Sequence, residues 1–522
     1  MTDTDVLVVG AGPTGLTLAC ELAVRGVRFR IVDQARMFFG GSRADGIQPR
    51  TMEVFHGLGV IEPILASGDL GMVMRAYHGD EVVWEGRMSE PAEPTPSVPY
   101  PNIWFVPQFR TEEILRERLA ELGARVELST ELTGFVQDTD GVTATLATGD
   151  STETVRAKYL VGTDGGRSTV RKRLGIAFPG ETDENTTMLF ADARVDGIGH
   201  DYGRIWPVAD GHVSLMPLAG TDLFVVAAQP PVDEDEPIHE YLQRQVSKAS
   251  GRDDILVREV GWHTTWRSNT RLAERFHEGR VFLAGDAGHV HPPTGGQGMN
   301  TGIQDGYNLG WKLAATLDGA PDVLLESYEP ERMSAARTAL DISTALLEKH
   351  RREDEDAHVR GPEVHGLTLN YRDSPLSRDD RTEPGALMAG DRAPDAPVST
   401  AEGHSLRLFD LICGPHWTLL AFGRKHAITS LTERFGLPAY TLVQPGEPVD
   451  ERTLVDSEGH ARTGYDATDG TMVLIRPDGY LGLVTDNGDI ERVIEYWTAL
   501  RGPGSPTPVS RRTGARNRRS AR

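Results

Sequence analysis

The apolar and polar positions at the start of the chain change period twice within thirty residues. Residues 5–9, DVLVV, form a short apolar run of strand type. GAGPTG follows, and then LTLACELAVRG, in which Leu16, Ala19, Cys20 and Ala23 recur on one helical face before RFRIVD returns to strand character. This order predicts a strand–turn–helix–strand unit. Roughly from residue 185 to 230, short runs such as TMLFADA and LFVVAA are separated by turn residues, which predicts an inserted antiparallel sheet. After Arg280 a strand, VFLAG, leads through a glycine- and proline-containing loop into a helix over about 298–317, carrying Ile303, Leu309, Trp311 and Leu313.

These patterns divide the chain into a discontinuous nucleotide-binding domain (1–180 and 270–345), a sheet domain (181–269), a charged, proline-containing linker or surface excursion (346–390), a separate module (391–501) and a basic tail (502–522) expected to be disordered. With 522 residues, two or three domains are expected. The apolar share, 39% before glycine is added, is that of a globular protein, and the net charge of −23 opposes a phosphate backbone, so nucleic acid is not an expected partner. Two cysteines, Cys20 and Cys413, make no disulfide framework, and the chain opens directly into a strand without a signal-peptide pattern; a reducing cytoplasm is the expected compartment. No run of eighteen apolar residues is present, so no membrane-spanning helix is expected.

Gly10-Ala11-Gly12-Pro13-Thr14-Gly15 fits G-x-G-x-x-G between a strand and a helix, and Asp33 ends the next strand. The glycines let the backbone approach a pyrophosphate, the helix N-terminus supplies N–H donors, and Asp33 can accept hydrogen bonds from an adenosine ribose. The fingerprint does not separate a nicotinamide cofactor from FAD. Gln34 and Arg36 follow Asp33 and are either adenosine contacts or solvated loop side chains. His289 and His291 have no third ligand at metal spacing, and no metal site is expected. No Gly-x-Ser-x-Gly elbow, Walker loop or HExxH motif gives a hydrolase or kinase reading a foothold.

Four further motifs follow in order: Arg43-Ala-Asp-Gly-Ile-Gln-Pro-Arg-Thr51, Gln108-Phe-Arg-Thr-Glu112, Gly162-Thr-Asp-Gly-Gly-Arg-Ser168, and Gly285-Asp-Ala-Gly-His289 running into His291-Pro-Pro-Thr-Gly-Gly-Gln-Gly-Met-Asn300. In this order and spacing the chain, to about residue 345, resembles the single-component FAD-dependent aromatic hydroxylases, the group of phenol hydroxylase and the hydroxylases of aromatic polyketide secondary metabolism. Residues 391–501 resemble the thioredoxin-like domain appended to many of them; Cys413 lacks a Cys-x-x-Cys partner, so packing, dimer contacts or a cap are its module's expected roles.

The resemblance implies an α/β fold: a Rossmann-like FAD-binding domain, an inserted antiparallel-sheet substrate domain and a C-terminal thioredoxin-like domain. It implies FAD held by Gly10, Gly12, Thr14, Gly15 and Asp33 at the ADP half and by Arg43 and Gln108 at the pyrophosphate and ribityl side. Asp164 is linked to FAD and reduced nicotinamide, Asp286 to the ribityl chain, and Met299 and Asn300 to the pyrimidine edge, with Pro292 and Pro293 lining the reactive face. A helix beginning near Gly298 would aim its N–H ends at the flavin N1 and C2 carbonyl, where charge accumulates on reduction. The implied reaction uses NADPH or NADH and O2 to hydroxylate a phenolic or polyketide ring through a flavin C4a-hydroperoxide, with no general base identified. Trp206, His212, Met216 and Phe224 are candidate substrate-wall residues, and a homodimer is one expected assembly. Baeyer–Villiger oxygenation and a non-catalytic FAD-binding scaffold are the alternatives; a flavin halogenase lacks its Trp-x-Trp-x-Ile-Pro signature here.

Overall fold

Val6, Leu7 and Val8 have no exposure on either face, as the central strand of a parallel sheet requires. The computed structural model of the protein describes residues 2–209, 211–233, 235–352, 354, 356–423 and 428–501, with the side chains of 2, 3, 184, 185, 293, 429 and 430 outside that description. The basic tail 502–522 and the Pro293 side chain therefore lie outside the described residues. The chain forms two units, residues 1–314 with 326–369, and 315–325 with 370–522.

In the first unit, Thr2–Val9 pairs in parallel with Phe29–Val32 and with Ser151–Gly162, and Val126–Glu127 and Val281–Leu283 extend the parallel order outward. The helix Pro13–Val24 begins with proline, whose missing N–H costs nothing there, and buries Leu16, Leu18, Ala19, Cys20 and Leu22. Burial pushes the Cys20 thiol up to about 12, so it stays protonated and serves packing.

The second sheet of this unit has eight strands in the order His289–Val290, Leu256–Leu272, Gly180–Asp196, Leu223–Ala228, Gly211–Pro217, Tyr202–Val208, Val73–His78, Glu81–Gly86. It reaches beyond 181–269, because Val73–His78 joins in parallel to Tyr202–Val208 and brings its hairpin partner with it. The helix Ile238–Ser250 covers one face through Tyr241, Leu242 and Val246, which pack on Leu189, Val213, Leu215 and Val226.

The stretch after residue 346, read in the sequence as an excursion, is partly interior. The helix Tyr328–Arg351 covers its first six residues, 346–351, and Val364, in the short helix Pro362–His365, is fully buried against Ile103 and Leu346. The second unit holds its own eight-stranded mixed sheet, with Thr418–Phe422 at its centre between Ala439–Val443, parallel, and Met472–Ile475, antiparallel. Leu420, Phe422, Val473, Ile475 and Leu481 form its core. Among the described residues no helix is long and apolar enough to cross a membrane.

Gly10 sits at φ +107°, and an added Cβ would lie 2.4 Å from the Thr163 carbonyl oxygen. Neither the backbone conformation nor the space accepts a side chain. Gly10→Ala is therefore expected to lower stability by more than about 2 kcal/mol, read from urea unfolding of the purified protein; an unchanged midpoint would contradict this placement.

Candidate cofactor and substrate site

Three motifs far apart in sequence close on Thr14. An added Cβ at Gly285 would stand 2.5 Å from Thr14 Oγ1, and one at Gly302 would stand 2.4 Å from it. The contact continues along the long helix Gly298–Leu317: a Cβ at Gly306 would meet the Thr14 carbonyl at 2.7 Å, and one at Gly310 would meet Glu21 Cβ at 2.5 Å. Glycines at every fourth position thus let this helix lie against Pro13–Val24 at backbone distance, and the Gly-Asp turn is held beside the first glycine turn.

The Gly-Asp turn is fixed by a buried carboxylate that carries no role in the sequence reading. Asp305, fully buried on the long helix, accepts from Gly285 N at 2.9 Å and His289 Nε2 at 2.7 Å through Oδ2, and from Arg332 Nε at 2.6 Å through Oδ1. Burial alone would raise its pKa, but Arg332 and His289 outweigh it and hold the carboxyl below its ordinary value. Its signal in the sequence is an acidic residue amid Ile303, Leu309 and Trp311, on a helix that otherwise reads as buried. His291 stacks parallel to His289, and burial, with His289 alongside, holds its imidazole down to about 3, so it is neutral.

Individual contacts locate the sequence candidates. Asp33 accepts from Ala11 N and Ala35 N, both at 2.8 Å, so its carboxylate also shapes the glycine turn. Gln34 is exposed, and exposed Arg43 lies over the Phe39 ring. Gln108 begins the helix Gln108–Glu121; its N–H donates to Ser42 Oγ and its Nε2 to Glu112. Asp164 caps the helix Thr169–Leu174 by accepting from Thr169 N at 2.7 Å and Val170 N at 3.1 Å. Asp286 is exposed at the Gly-Asp turn; the protein packed around it raises its pKa, Asp305 adds to this, and His289 and Arg43 oppose it. Pro292 is buried and Met299 half-buried, and Asn300 Nδ2 donates to Gly46 O at 2.9 Å while its Oδ1 accepts from Gln48 N at 2.9 Å.

These residues fit FAD. The helix Pro13–Val24 starts without a side-chain cap, and nothing lies within 4 Å of where a Gly12 Cβ would stand, so its N-terminus opens onto space for a pyrophosphate. Buried polar atoms without a hydrogen-bond partner among the described residues, Asp164 Oδ1, Gln48 Oε1 and His291 Nε2, belong to the same set of motifs. Among the described residues no group of three or more His, Cys, Asp or Glu could hold a metal.

A second cavity is lined by Asp45, Leu70, Gly71, Met72, Met74, Arg87, Met88, Ile103, Phe105 and Met216, among others. Of the four wall candidates only Met216 is there. Trp206 and Phe224 point to the opposite face of the sheet, into the core beneath Ile238–Ser250, because they pair across the strands with Val213 and Pro217 rather than with residues of the open face. His212 shares the strand face of Met216, and its pKa is lowered by burial and by His350. Asp45 lies within the Arg43–Thr51 motif, whose spacing alone assigns it no role. Burial, with Asp69 adding to it, pushes its carboxyl up to about 6. Asp192, on the neighbouring sheet, accepts from Ser42 N at 2.7 Å and is likewise pushed up to about 6, by burial and by Asp45.

Comparison with known proteins places the chain in a family. Residues 3–343 match the FAD binding domain family, and residues 427–503 match the phenol hydroxylase C-terminal dimerisation domain. The chain is 43% identical over 502 residues to a flavin-dependent monooxygenase of Mycobacteroides abscessus, covering 94% of this chain and 98% of that one. It is 40% identical over 350 residues to rifampicin monooxygenase of Streptomyces venezuelae, covering 66% and 71%. The crystal structure of aklavinone-11 hydroxylase with FAD and aklavinone superposes with a TM-score of 0.79 at 28% identity, covering 96% and 99%.

Asp192 allows a test with a definite sign. A carboxyl raised to about 6 when folded and near 4 when unfolded adds stability that is full below about pH 4, falls as pH rises toward 6 and is gone above it. Asp192→Asn keeps an acceptor for Ser42 N and removes the titration. The Tm of the native protein relative to this variant is expected to fall from about pH 4.5 to about pH 8; a constant or rising relative Tm would count against the raised pKa.

Proposed function

This chain belongs to the family of single-component FAD-dependent aromatic monooxygenases, and from that premise we propose that it hydroxylates an electron-rich, phenolic polyketide-type ring with NADPH or NADH as reductant: ring C–H, O2, NAD(P)H and a proton give ring C–OH, water and NAD(P)+. One observation carries the reading. Asp45 lines the second cavity while its neighbour Gly46 accepts the Asn300 bond, so the aromatic site and the cofactor groove meet at a single peptide. The similarity to proteins named for rifampicin and aklavinone supports the polyketide side of the class.

Bound FAD supplies the activated oxygen once reduced. The protein's own residues do the rest. The soft side chains of Met72, Met74, Met216 and Phe105 hold a flat ring and keep water from it, which favours oxygen transfer over release of hydrogen peroxide. With its pKa near 6, Asp45 is ionised at neutral pH yet basic enough to take a phenol proton, which raises electron density at the ring carbon.

Anaerobic stopped-flow with NADPH, followed by oxygen and product analysis, tests the reaction: flavin reduction and an oxygenated product from at least one phenolic polycycle are expected, and stable oxidised flavin with every donor and aromatic would overturn it. Asp45→Asn is expected to lower product formation at least about tenfold at pH 7.5 and to abolish a rise in rate through about pH 6. The match of 427–503 to a dimerisation domain supports a homodimer, so light scattering of the holoprotein is expected to give twice the chain mass.

A further inference from the structure

Oxygen transfer to a ring needs an apolar pocket and a proton acceptor, yet the second cavity also contains a full positive charge. Arg87 stands among Met72, Met74, Met88 and Phe105. It is half-buried, and its Nη1 donates to the Gly71 carbonyl at 2.7 Å. Gly71 is itself pinned: its N–H donates to Asp69 Oδ1 at 2.7 Å, its φ is +81°, and an added Cβ would lie 2.6 Å from the Phe105 ring. One corner of the guanidinium is thus tied to a loop that cannot easily move.

That contact uses one of five N–H donors. Nearby arginines are matched by carboxylates, Arg75 by Glu85 at 2.6 Å and Arg110 by Glu113 at 2.7 Å. No ion pair among the described residues involves Arg87, and the carboxylate of Asp69 is already turned to the Gly71 N–H. A half-buried guanidinium with only one N–H engaged in a described hydrogen bond has donors left to meet an anion, and its fork is shaped for two oxygens side by side.

We propose that Arg87 recognises an anionic oxygen substituent on the aromatic substrate, a carboxylate or an ionised enol or phenol, and thereby selects substrates that carry one. The proposal rests on the reading of this cavity as the aromatic site. An anion held at Arg87 and a hydroxyl facing Asp45 fix the ring at two points, which sets the carbon presented to the flavin.

The FAD-loaded full chain is titrated with two pairs of probes, 3-hydroxybenzoate against 3-hydroxybenzamide and pentafluorophenol against phenol, by the change in flavin absorbance. The wild type is expected to prefer the anion of at least one pair about tenfold or more. Preference in the first pair identifies a carboxylate, and in the second an ionised phenol or enol. Arg87→Met is expected to lose the preference while its affinity for the neutral probes stays within about twofold, which also reports an intact pocket. Arg87→Lys, which keeps the charge without the fork, is expected to retain part of it and serves if the methionine variant does not fold. Equal binding of anion and neutral probe by the wild type, or an unchanged preference in both variants, would overturn the anion proposal alone. Binding of none of the four probes would overturn it together with the aromatic-site reading.

Discussion

Asp305 makes three hydrogen bonds from inside a helix, and the cofactor groove depends on them. Its carboxylate takes the backbone N–H of the Gly-Asp turn, the imidazole of His289 and the guanidinium of Arg332, none of which has access to water. Removing one partner from such a buried pair typically costs about 3–5 kcal/mol, because the other charge stays behind without solvent. The same two helices are joined a second time with the charges exchanged: Lys312 on the first meets Glu331 on the second at 2.6 Å, also buried. Two ion pairs of opposite sense fix both the register and the direction of the helices, so Gly285 and Asp286 are presented to the groove at a set height.

The glycines at 302, 306 and 310 complete that constraint from the other side. Ion pairs draw the long helix toward Tyr328–Arg351, and the missing side chains let its opposite face reach the backbone of Thr14 and the Cβ of Glu21. A helix of ordinary composition would stand several ångströms further away, and the two glycine turns would not share a wall. The sheet domain is tied in by a third carboxylate: Asp192 holds Ser42 N, Ser42 Oγ receives Gln108 N, and the strand of the substrate wall is thereby linked to the loop that carries Arg43 and Asp45. Asn300, on the long helix, adds a tie to the same loop by donating to Gly46 O and accepting from Gln48 N.

The local elements were readable from the letters because their signals are local. Strand, glycine turn, helix and terminal Asp33 follow one another within thirty residues, and the helix from Gly298 to Leu317 announces itself by period. What escaped reading depends on partners distant in sequence. Asp305 and Arg332 are each ordinary until the fold puts them together; the pairing of Val73–His78 with Tyr202–Val208 joins segments more than a hundred residues apart. Trp206 and Phe224 show the limit of a strand pattern. Alternation sorts the residues of each strand onto two faces, but that 206 and 224 share a face, and that this face meets the helix, is settled only by register across strands. Val364 was hidden for a related reason, since a charged and proline-containing neighbourhood masks one buried side chain.

Three aspartates in this unit show how partners divide the labour of one residue type. Asp305, with a guanidinium and an imidazole against it, keeps its charge well into acid and gives the cofactor side a fixed frame. Asp45 and Asp192, enclosed by protein with no cation lowering them and each with a carboxylate neighbour, Asp69 for Asp45 and Asp45 for Asp192, hold their protons up to about pH 6. The difference is not depth of burial but the sign of the nearest neighbour. A permanent charge belongs where a turn must not move, and a carboxyl that gains and loses a proton near neutrality belongs where a substrate hydroxyl must be activated.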